Sequence, residues 1–369
     1  TLRSAPSGGR VRFATARTHQ AAPELALTLP ADGKPVPFFV AGSFGQPSTA
    51  LDDGAVQVRV VGRSGIELER KLTVRIRKDA TKLTAGERDR FLTAFGSFNN
   101  RGTGRFRDFH EMHVSQTLAE SHGNVGFLSW HRAYLLDLER ELQAIDPSVT
   151  LPYWRFDLAA PSLFTLAYLG SSDANGRVRF TPGHPFETWR TGTHGIIRAP
   201  GFRTTQPPSV VLSERDTIAL GGGAPNAEYG RFVRMEGNPH GQAHNSFSGQ
   251  ILSPATSPRD PLFFLLHGNV DRLWAKWQWI HRRTDPAELR SFAAANPDRV
   301  GHRLGDTMWP WNGDRVPPRP NTAPGGSLAQ SSVTTAPGLT PTVASMLDHQ
   351  AAGGGEPLGF AYDDVPFEA

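Results

Sequence analysis

The chain has 369 residues and a formal net charge of +4, with 38% hydrophobic residues and no cysteine. This length predicts one large domain with a smaller one, and the lack of thiols excludes disulfides, thiolate metal sites and cysteine nucleophiles. No apolar run approaches the ~20 residues that span a membrane, and the arginines are scattered, so we expect neither a membrane nor a nucleic-acid partner. The sequence begins at Thr1 without a basic-then-apolar leader, which is compatible with a soluble cytoplasmic protein and with one exported after leader removal.

The patterns at the beginning of the chain predict a small β-rich domain over residues 1–77. Strand-like runs occur at residues 25–29, 36–40, 56–61 and 72–76, and turn-forming segments such as Ala31-Asp32-Gly33-Lys34 separate them. This part offers no recognisable chemistry. We therefore expect it to pack against the domain formed by residues 78–369, which would carry the reaction.

From residue 78 onward the hydrophobic period is helical. Thr84 and Glu87 have the spacing of a capping box, which predicts the start of a first helix. Further helices are predicted over residues 106–120 and 130–145, and from Asp260-Pro261 to about residue 283, because Asp and Pro favour a helix start. Segments 160–235 and 311–343 are rich in Gly, Pro, Ser and Thr and predict long loops.

Six of the thirteen histidines fall into two groups of three, which are His113, His122 and His131, and His240, His244 and His267. His131 and His267 lie on the apolar stripes of strong predicted helices and therefore point inward. His240 and His244 are four residues apart, so on a helix they project from one face and can share a metal ion. A single inward histidine is usually an ordinary core residue, but this combination favours a metal site within a helix bundle.

The donor atoms of these groups favour copper. Neither group contains a thiolate or a carboxylate, and imidazole suits Zn, Cu, Fe and Ni, with copper highest in the affinity order. A dinuclear zinc hydrolase is the alternative, but such sites usually recruit bridging carboxylates, and none is well placed here.

Two longer motifs contain these histidines. The first reads His122-Gly-Asn-Val-Gly-Phe-Leu-Ser-Trp-His131-Arg-Ala-Tyr-Leu. The second comprises His240-Gly-Gln-Ala-His244 and Asp260-Pro-Leu-Phe-Phe-Leu-Leu-His267-Gly-Asn-Val-Asp271-Arg-Leu-Trp. Together with the segment 105–113 and the tail around residues 346–363, they resemble the tyrosinase, catechol oxidase and molluscan haemocyanin superfamily of type-3 copper proteins. The resemblance covers about residues 80–369.

This resemblance implies a mainly α fold in which a four-helix bundle with long loops holds two copper ions, with O₂ as co-substrate. The small N-terminal β domain lies outside it. Three histidines would hold each copper: His113, His122 and His131 the first, and His240, His244 and His267 the second. The alignment favours His113 over His110 as a ligand.

The resemblance also assigns roles beside the metals. Glu236 matches an acidic residue that orients a water able to deprotonate a phenol, and Phe263 matches an aromatic wall of the site. Asp271 is open to two interpretations: it orients a ligand histidine, or it pairs with Arg272 or another charge at the surface.

The chain departs from the family pattern at several positions. Leu266 stands where many members have a histidine before the ligand at His267, and the ligand itself is kept. Gly241 replaces the Asn that efficient monophenolases carry there, which favours diphenol over monophenol oxidation, and Asn245 is the candidate for supplying the missing amide. No cysteine is present for the Cys–His thioether of fungal, plant and molluscan members, which suits a bacterial member.

The predicted function is therefore the oxidation of small phenols or catechols to o-quinones by O₂. The alternatives are a non-catalytic O₂-binding copper protein, which residues 1–77 would have to shield, and an o-aminophenol oxidase. Substrate choice is expected to depend on a mouth formed by residues 184–200 and 253–257. The remaining histidines His281, His302 and His349 are interpreted as surface or structural residues.

Overall fold

The computed structural model describes residues 1–5, 11–16, 21–42, 55–73, 75–114, 117–200, 210–293, 301–315 and 326–365. Within these residues, the first 73 positions contain strands, and most of the later regular structure is helical. None of the described helices combines the length and apolar character that crossing a membrane requires.

The described part of residues 1–73 contains six strands: β1 Leu2–Ala5, β2 Val11–Ala14, β3 Glu24–Leu25, β4 Phe39–Gly42, β5 Ala55–Gly62 and β6 Gly65–Thr73. Four of them form an antiparallel sheet in the order β3-β1-β5-β6, and β2 pairs with β4. Leu2, Val11 and Phe13 form a small hydrophobic cluster beneath them, which is distinct from the main core.

The predicted strand over residues 56–61 is confirmed as β5. The predictions at 25–29 and 36–40 overlap β3 and β4 only at one end, and the run 72–76 is divided, because β6 ends at Thr73 and Ile76 begins a different strand. Strands β1 and β2 were not predicted. The sequence also predicts a turn at Asp52-Asp53-Gly54, which lies outside the described residues.

Eight α-helices follow within the described residues: α1 Ala85–Asn99, α2 Phe106–His110, α3 Leu118–Ser121, α4 Phe127–Ile145, α5 Glu214–Ala219, α6 Tyr229–Phe232, α7 Gln242–Asn245 and α8 Leu262–His281. The capping box of α1 is confirmed, since the Thr84 hydroxyl accepts from the Glu87 N–H and the Glu87 carboxylate accepts from the Thr84 N–H. Asp260 accepts from the Leu262 N–H at 3.0 Å and so satisfies a free donor at the start of α8.

The predicted helix over residues 106–120 is wrong as one element, because the chain divides it into α2 and α3. The Thr117 hydroxyl donates to the carbonyl oxygens of Val114 at 2.7 Å and Met112 at 3.2 Å. Side chains that bond nearby backbone in this way offer it an alternative to the helical pattern. The interruption leaves His113 between the two short helices.

The loops predicted over 160–235 are interrupted by α5, α6 and the short strands β8 Ser171–Ser172, β9 Val178–Arg179 and β10 Arg198–Pro200. Strand β10 pairs with β11, Phe247–Gly249. Strand β7, Ile76–Arg77, runs parallel to β12, Ala361–Tyr362, and so joins the early part of the chain to its end.

Helices α4 and α8 are the two long members of the main core and pack against each other. A buried ion-pair network connects them. The Asp271 carboxylate on α8 accepts from Arg132 Nε on α4 at 2.5 Å, from Arg77 Nη1 at 3.0 Å and from the Tyr362 hydroxyl at 2.5 Å. Arg77 also makes a bidentate pair with Glu139. These contacts tie the strand pair β7–β12 to both long helices.

Candidate metal centre

The first histidine triad is gathered from three neighbouring segments. His113 lies in the interruption between α2 and α3, His122 directly follows α3, and His131 lies in the second turn of α4. His113 and His131 are buried, whereas His122 is half-buried. The long helix α4 positions one histidine, and the short segments before it bring the other two close to it.

The second triad combines a distorted helical segment with a long helix. His240 lies in a π-helical turn, Gly237–Gly241, that leads directly into α7, which carries His244. His267 lies in α8, and all three residues are buried. His240 and His244 do not share one regular α-helix. Their rings nevertheless project toward the same point beside His267, as their spacing predicts.

The distances between ring nitrogens fit one metal ion in each triad. The Nε2 atoms of His113 and His131 are 3.3 Å apart, and His267 Nε2 lies 3.2 Å from His240 Nε2 and 3.3 Å from His244 Nε2. Nitrogen ligands 2.0–2.1 Å from a tetrahedral metal are about 3.3 Å apart. The rings of His131 and His267 stack with centroids 4.4 Å apart, so the two triads are adjacent.

The other ring nitrogens explain why the Nε2 atoms are free to bind a metal. The Nδ1 atoms of His113, His131, His240 and His244 each lie 2.7–2.8 Å from a carbonyl oxygen, of Pro254, Phe127, Glu236 and Ile251 respectively. A carbonyl only accepts, so each Nδ1 carries the proton and each Nε2 presents a lone pair. Between His113 and His131 two such lone pairs face each other at 3.3 Å, and they repel unless a cation lies between them. The donor set therefore fits copper.

Burial keeps these imidazoles neutral. It lowers the pKa of His113 and His244 to about 4, and it lowers the pKa of the other four histidines well below the ordinary value. In several of them the neighbouring histidines add to this effect. Neutral imidazole is the form that binds a metal ion.

Glu236 contacts His240 of the second triad through its backbone and the residue after His122 through its side chain. Its backbone carbonyl accepts from His240 Nδ1, and its side-chain Oε1 accepts from the Gly123 N–H at 2.7 Å. Gly123 directly follows His122 and has φ of +65°, a conformation that favours glycine. The half-buried carboxyl group has its pKa raised to about 7 by burial.

The other two residues predicted to assist catalysis occupy different surroundings. Phe263 is fully buried, and its ring stacks on His267 with centroids 4.1 Å apart and contacts His113 at 5.1 Å. Asn245 ends α7 and is exposed. Gly241 has φ of −59° and ψ of −36°, which any residue can adopt, and a Cβ there would lie 3.3 Å from the Glu236 carbonyl oxygen.

Asp271 pairs with other charges, as the second interpretation has it, but in the core and not at the surface, and the interpretation that it orients a ligand histidine is wrong. The residue is buried, so it is not a surface partner, and its carboxylate binds Arg77, Arg132 and Tyr362 rather than a histidine ring. Among the remaining histidines, His302 and His349 are buried, and His349 stacks on Phe360, which fits a structural role. His110 is buried beside Glu111 and lies outside the two triads.

The groups that orient the histidine rings were not predicted from the sequence. Ser121 is one of them, since its Oγ lies 2.9 Å from His122 Nδ1. A serine directly before a motif histidine was a visible signal. The carbonyl groups of Pro254 and Ile251 leave no side-chain signal, because the backbone supplies them, and the first lies 141 residues from its histidine.

Comparisons with known proteins agree with this geometry. The sequence model of the common central domain of tyrosinase matches residues 103–280. The chain is 33% identical to a tyrosinase of Streptomyces glaucescens over 262 residues, which is 64% of this chain and 92% of that protein. It is 34% identical to a tyrosinase of Streptomyces lincolnensis with the same coverage, and 29% identical to grixazone synthase of Streptomyces griseus, over 65% of this chain and 94% of that one.

Solved structures show the likeness in fold. A functional unit of octopus hemocyanin matches with a TM-score of 0.54 at 20% identity, covering 79% of this chain and 69% of that chain. Deoxygenated hemocyanin from Rapana thomasiana matches with a TM-score of 0.53 at 18% identity, covering 80% and 71%.

Proposed function

The chain belongs to the tyrosinase family of type-3 copper proteins, and from this premise we propose that its two histidine triads hold the copper pair and that its preferred substrates are catechols. The enzyme oxidises phenolic compounds to o-quinones with O₂ and two copper ions. Family membership also removes the zinc-hydrolase alternative. The open points are the ligand set, the residues that assist the chemistry and the class of phenol.

One observation supports the ligand assignment: two adjacent triads each bring together the ring nitrogens of three neutral imidazoles. We assign His113, His122 and His131 to one copper and His240, His244 and His267 to the other. When bound, the copper pair supplies the electron transfer between phenol and O₂. Two catechols give up four electrons and four protons, which reduce one O₂ to two waters.

We propose that Glu236 accepts the proton of a phenolic hydroxyl, directly or through a water. Its carboxylate is held by the Gly123 N–H beside the first triad, while its carbonyl contacts His240 of the second. A catechol reaches the quinone level by losing electrons and protons alone, whereas a monophenol needs deprotonation before oxygen is added to its ring. The need for Glu236 is therefore greater for monophenols.

The preference for catechols follows from position 241. Glycine offers no side-chain amide beside Glu236, and Asn245 is exposed at the end of α7. With a single carboxylate, a water or hydroxyl there has one fewer partner to orient it. We propose that Phe263, which stacks on His267, both restrains that ring and forms one wall of the site.

We further propose that the metals lie in a four-helix bundle with α4 and α8 as its long members, and that the β-rich N-terminus forms its own small domain. The separate cluster of Leu2, Val11 and Phe13 supports the second point. The boundary is best placed between β6 and β7 rather than after residue 77, because Arg77 is buried against Glu139 and Asp271 of the helical core.

A paired assay tests the proposal. The copper-loaded protein is supplied with a catechol, the matching monophenol and the matching o-aminophenol under O₂, with bound copper counted in the same sample. We expect two coppers per chain and quinone from the catechol at a rate well above that from the monophenol. Equal rates on the two would contradict the catechol preference, and turnover of the aminophenol alone would identify an o-aminophenol oxidase.

A further inference from the structure

We infer that Ser121 is a positioning residue that fixes the proton and the orientation of the His122 ring for copper binding. The inference rests on the proposed ligand set. His122 is the proposed ligand that packing restrains least, and Ser121 lies outside the set of six histidines.

His122 is exceptional among the six histidines. It lies just beyond the four-residue helix α3, in extended backbone with φ of −138° and ψ of 154°, and it alone is half-buried. Packing restrains a side chain less at such a position than inside a long helix. Its neighbours in the triad are fully enclosed. A specific contact is therefore needed to keep this ring in the geometry that the metal requires.

The hydrogen bonds around Ser121 determine the direction of that contact. The Ser121 Oγ lies 3.0 Å from the Thr117 carbonyl oxygen and 2.9 Å from His122 Nδ1. A carbonyl oxygen only accepts, so the single hydroxyl proton of Ser121 is donated to Thr117. The oxygen can then only accept from His122, which places the proton on Nδ1 and leaves Nε2 as the metal-binding atom.

Ser121 therefore does for His122 what backbone carbonyls do for His113, His131, His240 and His244. Such outer contacts typically contribute 10–100-fold to metal affinity, because they fix both the tautomer and the ring orientation. Alanine at position 121 leaves the Nδ1 proton without this partner. Threonine keeps the hydroxyl and restores it.

Ser129 provides a matched control. It is fully buried like Ser121, belongs to the neighbouring helix α4, and donates its hydroxyl proton to the Gly126 carbonyl oxygen at 3.1 Å. This contact involves no ring nitrogen. Ser129→Ala therefore reproduces the loss of a buried hydroxyl without the loss of a histidine partner.

The test measures copper affinity by anaerobic competition against a colorimetric Cu(I) chelator, using the full chain. We expect Ser121→Ala to weaken one of the two coppers by about 10–100-fold, with Ser129→Ala and Ser121→Thr within about threefold of the parent protein. An unchanged affinity in Ser121→Ala, or an equal loss in Ser129→Ala, would overturn the inference.

Two further measurements separate this inference from the ligand assignment. His122→Ala should retain a single copper, and if it retains two, the assignment of His122 fails independently of Ser121. In the copper-free parent protein, imidazole ¹⁵N NMR should show the His122 proton on Nδ1. A proton on Nε2 would overturn the role of Ser121 even if the Ser121→Ala variant did not fold.

Discussion

The two triads reach the same arrangement of nitrogens by different routes. In the first, a loop, the end of a short helix and a long helix each supply one histidine, and every ring has an Nδ1 partner. In the second, a π-helical turn and α7 supply two histidines from one face, and the buried Nδ1 of His267 has no hydrogen-bond partner among the described residues. Packing against Phe263 holds this last ring instead. A ligand is thus positioned either by hydrogen bonds or by ring stacking, and each long helix contributes one.

The largest effect is expected when the long-helix histidine of either triad is replaced. We expect His131→Ala and His267→Ala each to reduce bound copper from two to one per chain and to abolish quinone formation, because both metals are needed for the reaction. Copper analysis, oxygen uptake and far-UV circular dichroism measure this. His194→Ala, at an exposed loop position, is the control and should retain both coppers. Full activity in either ligand variant would refute the assignment.

Breaking the buried ion pairs that connect α4 with α8 is expected to lower the stability of the fold. Asp271→Ala removes the carboxylate shared by Arg132 and Arg77 and leaves both guanidinium groups buried, which should cost about 3–5 kcal/mol in the free energy of unfolding. Urea denaturation of the copper-free protein measures the change.

The matched control for this variant is Glu24→Gln, which breaks an exposed pair with Arg3 and should cost ~1 kcal/mol or less. A similarly small loss in Asp271→Ala would show that the buried network does not hold α4 and α8 together.

Glu236 contacts the segments that carry both triads, and its replacement is expected to change the reaction rates. Glu236→Gln keeps an oxygen for the Gly123 N–H but cannot accept a proton, so monophenol kcat/KM should fall by about 100-fold and catechol kcat/KM by no more than about threefold. Steady-state assays on a matched substrate pair provide the measurement. Equal losses on both substrates would count against a proton-accepting role.

The smallest expected effect comes from position 241, beside His240 in the second triad. Gly241→Asn adds an amide next to Glu236 in a backbone conformation that accepts it, and should raise the monophenol-to-catechol rate ratio by about three- to tenfold, the equivalent of one ~1 kcal/mol hydrogen bond. Gly241→Ala is the control for crowding at the Glu236 carbonyl. The same increase in both variants would remove the amide from the explanation.

The amino-acid sequence alone indicates the kind of metal that the centre binds. Six histidines without a cysteine or a well-placed carboxylate indicate copper, and the helical periods around His131 and His267 place both rings on inward faces. The capping box of α1 and the start of α8 were predictable for the same reason, because these signals depend on residues within one or two turns of each other.

The contacts that orient the histidine rings and connect the helices become visible only in the folded chain. The break at Thr117, which frees His113 from a continuous helix, depends on which carbonyls its hydroxyl reaches. The Pro254 carbonyl meets His113 across 141 residues, and Asp271 meets Arg77 across 194. Contacts at such separations follow from the packing of whole elements and leave no local pattern. Hence the sequence indicates which histidines are candidate ligands, while the fold supplies the partners that orient their rings.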